Sequence, residues 1–378
     1  MPFLPPLRLT GATILREGEL RQRSVAIARG KISKGPLPAV DLTGFLILPG
    51  IIDMMALPPA LTGPQTPARI LREAQRQAAA AGVTTGWLAA GWSWQGGHDC
   101  PERGEALLRA LAQPSGPVDL RPALRVETAR SDLGPRLSAL IAELRPQLLY
   151  FENTRDRLDR LEANDPVAFA AEAATLGLDA ARLRSALCAA QTRAHEVPRH
   201  LCRIAEALDA VGAHYGSLDD SGGDIRESYS MIGARLATRP AAHSAAAASR
   251  AMGNPVLIGA GQHGLGDDLL QARLGNALVS DGNWPALAAR ALALAGRDFA
   301  DLPRVWPLVS ATPAEIMGLA DRGTLDYGRR ADLAVVNAAT RRVEATICAG
   351  RLAHLTGLAR ERFKAAWNTE GFNAIAAE

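Results

Sequence analysis

The sequence predicts an α/β fold, a (β/α)8 barrel of the TIM type held by a small β-sandwich, and three observations carry that prediction. A chain of 378 residues has room for a barrel of ~250 residues and a smaller companion. Its middle alternates short apolar runs with helix-like segments, the pattern of a parallel sheet with crossover helices. Near the two ends the pattern changes to short alternating runs broken by turn residues, so the companion is built from both termini.

Taken in order, LRLTGATIL, SVAIARGKI and GFLILPG within residues 7–48 read as sandwich strands. Eight barrel strands follow: GIIDMM (50–55), GVTTGWLAA (82–90), VDLRPALRVE (118–127), QLLYFEN (147–153), GAHYGSLDD (212–220), RLATRP (235–240), PVLIGAG (255–261) and LGNALVSD (274–281). Thr66-Pro67 and Asp165-Pro166 set a capping side chain before a proline that opens a helix, and Thr312-Pro313-Ala314-Glu315 reads as a capping box. Gly253 stops the helix that starts near Ala245. Residues 160–211 exceed one crossover and read as a helical insertion of at least two helices. Residues 323–355 return to short strands. The expected divisions are therefore 1–49 with 320–355 for the sandwich, 50–319 for the barrel, and 356–378 for a terminal helix or arm.

Composition excludes several classes. The net charge of +3 comes from interspersed acids and bases, without the basic stripe of a nucleic-acid binder. Cys100, Cys188, Cys202 and Cys348 lie far apart with no paired spacing, which argues against a zinc knot or a disulfide framework and suits a reducing cytoplasm. The opening MPFLPPLRLTGATI lacks the charged and apolar regions of an export signal, and no run reaches the ~18 apolar residues of a membrane span. A cytoplasmic homo-oligomer with no nucleic-acid or membrane partner is expected. Lysine occurs only at Lys31, Lys34 and Lys364.

The stretch LPGIIDMMALPPAL, residues 48–61, enters a strand through Pro-Gly and ends it on apolar residues. With AGVTT (81–85), TPAEIMGL and DRGTLDYGRRADLAVV it resembles the amidohydrolase superfamily. The order of LRVET (124–128), YFEN (150–153), SLDDSGGDIRESYSMIG (217–233), NPVLIGAGQ (254–262) and VSDGNWP (279–285) is similar to the phosphonate-degrading branch, the ribose-methylphosphonate-triphosphate diphosphohydrolases of the C–P lyase pathway. The resemblance spans residues 7–355 and implies a metal-loaded barrel that hydrolyses its substrate. It also implies ligands that this chain lacks: Met55 and Leu57 end the first strand, Asn153 the fourth, and Leu218 and Ser230 stand where histidines are expected. Glu127, Asp219, Asp220 and Asp281 survive.

Metal-dependent hydrolysis needs about three nitrogen or oxygen ligands on an ion that lowers the pKa of a bound water. Leucine and the methionine thioether do not replace imidazole there. A bridging carboxylated lysine is excluded, because residues 35–363 contain none. A relocated site would draw on His243, His263 and Asp281, while the duller reading makes both histidines loop residues. Asp219 and Asp220 are either paired acid–base carboxylates or a turn cap with a solvent-facing neighbour. Asp281 is either a strand-end base or an Asx-turn residue, and Glu127 either orients a group at the mouth or pairs with Arg125 or Arg155. Arg155, Arg226 and Arg239 are candidates for bidentate phosphate binding.

The expected protein is therefore a divergent amidohydrolase-fold chain linked to alkylphosphonate metabolism. Its metal centre is degenerate, no cofactor is expected, and its role is to bind a partner or a small phosphorylated or phosphonate ligand. The alternative is an active hydrolase, triphosphate diphosphohydrolase-like or acting on another small substrate, that uses Asp281 with a reduced or relocated metal site, a single zinc or manganese ion or none.

Overall fold

The computed structural model describes residues 3–61, 65–113 and 116–367. Eight parallel strands form one sheet in sequence order: β1 (Ile51–Ala56), β2 (Val83–Trp92), β3 (Asp119–Glu127), β4 (Leu148–Glu152), β5 (His214–Leu218), β6 (Leu236–Thr238), β7 (Val256–Gly259) and β8 (Ala277–Val279). Six fall inside the segments read from the sequence, while β1 runs one residue past its segment, to Ala56, and β2 two residues past, to Trp92. Their inward side chains, among them Ile52, Met54, Met55, Trp87, Tyr150, Leu218, Leu257 and Val279, pack into one apolar cluster, so the barrel is filled rather than hollow.

The seam between β1 and β8 is closed largely by a side chain. Asp53 on β1 is fully buried and accepts hydrogen bonds from four donors: Met55 N at 3.2 Å, Ser280 N at 3.0 Å, Ser280 Oγ at 2.6 Å and Trp284 Nε1 at 2.7 Å. Asp281 N adds a bond of 3.0 Å to the carbonyl of Met55. Burial raises the Asp53 pKa, and the donors from Ser280, Met55 and Trp284 pull it back.

Crossover helices α1 (Pro67–Ala80), α2 (Pro101–Leu111) and α3 (Gly134–Leu144) cover the first strands. Between β4 and β5 come four helices: α4 (Arg155–Asn164), α5 (Pro166–Thr175), α6 (Ala180–Thr192) and α7 (Val197–Val211). Asp165 caps α5 by accepting from Ala168 N at 2.9 Å, as its sequence position suggests. Helices α4 to α6 share a small core built from Leu158, Phe169, Leu183 and Leu187 with Trp94 and Ala129, which seats them as a cap beside the barrel mouth. His98 N donates to the carbonyl of Leu176 at 3.1 Å and ties the loop after β2 to this cap. The circuit closes with α8 (Gly223–Met231), α9 (His243–Ala251), α10 (Leu265–Gln271) and α11 (Trp284–Leu294).

The termini meet as expected. Phe45–Pro49 pairs antiparallel with Leu333–Asn337 at the centre of a six-stranded sheet. A four-stranded sheet containing Leu7–Thr10 accompanies it, and the helix Gly357–Trp367 buries Ala359 and Phe363 in the same core. Lys31 lies in this part of the chain and Lys364 on that helix. The remainder of the expected terminal arm lies outside the described residues.

Two helix starts differ from the sequence reading: Thr66 holds the capping position of α1, but its side chain makes no capping hydrogen bond. The helix Ala311–Ile316 begins before Thr312, with Ser310 at the capping position, because the turn Trp306–Val309 runs straight into it. No helix among the described residues is long and apolar enough to cross a membrane.

Buried donors left without an acceptor cost about 1–3 kcal/mol each. Asp53→Ala is expected to lower the unfolding free energy by about 4 kcal/mol in urea titrations, and Asp53→Asn, which keeps an acceptor, by less.

Candidate active site at the barrel mouth

Inward positions recur every second residue along a strand, so Arg125 and Glu127 follow Ala123 on β3, and Glu152 follows Tyr150 on β4. Where the apolar filling ends these side chains are charged, and they meet residues from four other connections. Arg125 pairs with Asp99, from the loop after β2, and with Glu152 at 3.4 Å. Gly91 permits this: a Cβ there would collide with the Asp99 carboxylate.

Across the mouth, Arg239 donates to both oxygens of Asp219, at 3.2 and 2.6 Å, and to Asp281. Asp219 and Arg239 directly follow β5 and β6, and Asp281 lies two residues past the end of β8; all have left-handed backbones, with φ of 58°, 53° and 50°. Such a conformation costs a non-glycine residue about 1 kcal/mol or more and persists where its surroundings demand it. Here each strand turns at the same level, and the three side chains converge.

The carboxyls respond to this packing. Glu127 is 1% exposed and accepts from Trp94 Nε1 at 2.9 Å and from Thr154 N at 3.1 Å. Burial, then repulsion from its cross-strand neighbour Glu152, pushes its pKa up to about 8. Glu152 is raised by burial too, with Arg125 and Arg239 opposing, and Asp219 is raised by burial against the pull of Arg239. The arrangement is a ring of alternating charge that can retain a proton near neutrality.

The surviving acids divide into two groups. Asp281, Asp219 and Glu127 stand at the mouth, but Glu127 takes donors from Trp94 and Thr154 and not from Arg155. Asp220 and Arg226 lie beneath it. Arg226 has a fully buried side chain that donates to Ser217 Oγ at 2.6 Å, Asp220 at 3.2 Å and the carbonyl of Leu236 at 3.0 Å. A phosphate-binding role for Arg226 therefore gives way to a structural one, as does acid–base work by an Asp219–Asp220 pair. Arg155 opens α4 at the rim and, among the described residues, pairs only with its neighbour Asp156, at 2.9 Å. Asp99 and Glu152 were not anticipated and Arg125 only as a partner of Glu127; for Arg125 and Glu152 a charge at an inward strand position was the available signal.

The donor set does not fit the metal centre implied by the family resemblance. Met54 and Met55 are 0% exposed and Leu218 is 4% exposed, all inside the apolar filling. Asp219 and Asp281 are both engaged by a guanidinium, whose fixed positive charge opposes a cation at the same place. His263 receives a hydrogen bond from Arg290 at 2.7 Å, and His243 is an exposed helix-start residue. Among the described residues, no group of three or more His, Cys, Asp or Glu side chains is placed to hold an ion, so His243, His263 and Asp281 do not form the relocated site.

No family model matches the chain, and no curated protein matches it in sequence. Solved structures do match. The β-aspartyl dipeptidase of Fervidobacterium islandicum AW-1 is 14% identical over 95% of this chain and 98% of its own, with a TM-score of 0.63. The N-acetylglucosamine-6-phosphate deacetylase of Pasteurella multocida is 13% identical over 92% and 99%, with a TM-score of 0.62. The L-hydantoinase of Arthrobacter aurescens is 12% identical over 94% and 97%, with a TM-score of 0.54. These structural neighbours are amidohydrolase-superfamily proteins, and the barrel with its two-ended sandwich is the fold they share with this chain.

Two outcomes follow from the charge ring. A carboxyl raised in the folded state binds a proton that the unfolded chain has released, so stability falls as pH rises between the two values. For Glu127 that window runs from 4.5 to about 8, and Glu127→Gln is expected to flatten the decline in urea titrations across it. Arg239→Ala leaves Asp219 and Asp281 unpaired beside Glu152. It should cost about 2–3 kcal/mol at pH 8 and less at pH 5, by thermal or urea unfolding.

Proposed function

We propose that this chain is a metal-independent derivative of the amidohydrolase fold, linked to alkylphosphonate metabolism, that binds a small phosphorylated or phosphonate ligand at its barrel mouth. The observation that carries the reading is Arg239 bonded to both Asp219 and Asp281, above a barrel filled with Met54, Met55 and Leu218. A guanidinium supplies the positive charge that the implied metal would otherwise bring to these carboxylates. Asp281 would act as a free base only after leaving that pair, which weighs against the hydrolase alternative. The order of sequence blocks from LRVET to VSDGNWP supports the phosphonate connection.

A groove of about 520 Å3 supports a ligand site beside the ring. Arg103 and Arg125 line one part of it, Leu57, Pro58 and Pro59 another. Arg103 donates to His98 at 2.6 Å and has no carboxylate partner among the described residues, which leaves its charge available to an anion. Asp99 and Glu102 also line it, but Arg125 and Arg136 answer them, so the apolar wall with the Arg103 guanidinium at one end suits a compact molecule carrying one phosphate or phosphonate.

Elemental mass spectrometry of tag-free protein is expected to find less than about a tenth of a divalent ion per chain, fewer than a stable site of about three ligands would retain. Chelator should leave the melting temperature unchanged. Ribose 5-phosphate or methylphosphonate should raise it, because a ligand that binds only the folded chain stabilises it, and Arg103→Ala should remove the rise. A stoichiometric ion whose removal destabilises the protein would overturn metal independence, and no response to either ligand would overturn the ligand assignment.

A further inference from the structure

A second cavity, of about 600 Å3, lies at the opposite end of the barrel, where the start of β3 and the C-terminus of α3 face the sandwich. Four guanidiniums line it, those of Arg121, Arg145, Arg330 and Arg351, against a single carboxylate, Asp119. That carboxylate is already shared: Arg121 reaches it at 2.9 Å, Arg322 at 2.6 Å and Arg330 at 3.7 Å. Asp332 takes Arg330 at 2.9 Å and Asp321 takes Arg322 at 2.8 Å.

Arg145 and Arg351 have no carboxylate partner among the described residues. Arg145 sits just past α3 with a left-handed φ of 46°, and the longest of hydrogen bonds, 3.5 Å to the carbonyl of Val211, is the only one its guanidinium makes among the described residues. Arg351 lies over the ring of Phe3, 4.2 Å from its centroid. The cavity therefore holds two uncompensated positive charges beside two compensated ones; Gln147, which accepts from Arg121 at 3.0 Å, adds a polar group, and Pro117, Pro122 and Leu144 form an apolar wall.

We propose that this cavity is a binding site for a small molecule that bears an oligophosphate group. Guanidiniums grip phosphate oxygens in pairs, two unanswered charges call for at least a dianion, and the proline wall receives the apolar or ring-bearing remainder. The site is separate from the mouth and does not depend on the function proposed above. Ligand there touches both the barrel, through Arg121 and Arg145, and the sandwich, through Arg330 and Arg351, so it bridges the two.

The test is calorimetric titration of the full chain with inorganic tripolyphosphate and with ATP, without added metal. Saturable one-to-one binding is expected, weakened at least tenfold in the Arg145→Gln, Arg351→Gln double variant at unchanged melting temperature. Arg351→Lys, which keeps the charge but loses the paired donors, should fall between. Arg103→Ala, which removes the anion contact proposed at the mouth, should keep the saturable binding of this cavity. Absence of saturable binding, full binding by the double variant, or loss of binding in Arg103→Ala would each overturn the assignment, the last by moving the anion to the mouth.

Discussion

The closed barrel depends on one buried carboxylate. A parallel sheet of eight strands must bring its first and last members together, and at that seam Asp53 gathers two amide groups and an indole N–H that would otherwise be buried without an acceptor, together with the Ser280 hydroxyl, which also reaches the Met55 carbonyl. Ser280 and Trp284 belong to the end of the eighth strand and the start of the helix behind it, so the same contact fixes where that strand stops. Asp281 is the next residue. The position of the mouth's last carboxylate is thus set by an acid that faces away from the mouth, on the outside of the barrel.

From that frame the chemistry of the mouth follows. The interior is filled with methionine, leucine and aromatic groups up to the level at which Arg125, Glu152 and Arg239 appear, so at the mouth charge forms one thin layer above an apolar floor. In such surroundings an unpaired charge is costly, and the layer answers with alternation: acid, guanidinium, acid, guanidinium. Proton-holding carboxyls are the residue of that arithmetic, since the acids outnumber the guanidiniums among them. The cap of α4 to α6 rests on Trp94, whose indole also bonds Glu127, so the helical insertion and the charge layer share a support.

Much of the fold was legible because its signals are local. Apolar runs such as QLLYFEN, proline at helix starts and the Pro-Gly entry to the first strand each act over a few residues, and each strand fell where the pattern placed it. The apolar end of the first strand was legible for the same reason, from the run Met54-Met55-Ala56-Leu57. Partner choice was not. Whether Glu127 meets an arginine or an indole depends on the register of three strands and on a loop more than thirty residues away, and Arg226 looked available until its helix turned it under the sheet. The two-residue spacing of Arg125 and Glu127 was visible, but its meaning required knowing which face of β3 is inward. At the helix Ala311–Ile316 a local signal misled, because the preceding turn had already begun the helix.

The placement of lysine has a practical consequence. Lys31 belongs to the sandwich and Lys364 to the helix packed on it, Lys34 follows the same strand as Lys31, and the barrel carries none. Reagents that acylate side-chain amines will therefore label one side of the molecule. A sensor surface coupled through those amines would hold the protein by its sandwich and present the charged mouth to the solution, without any engineered tag.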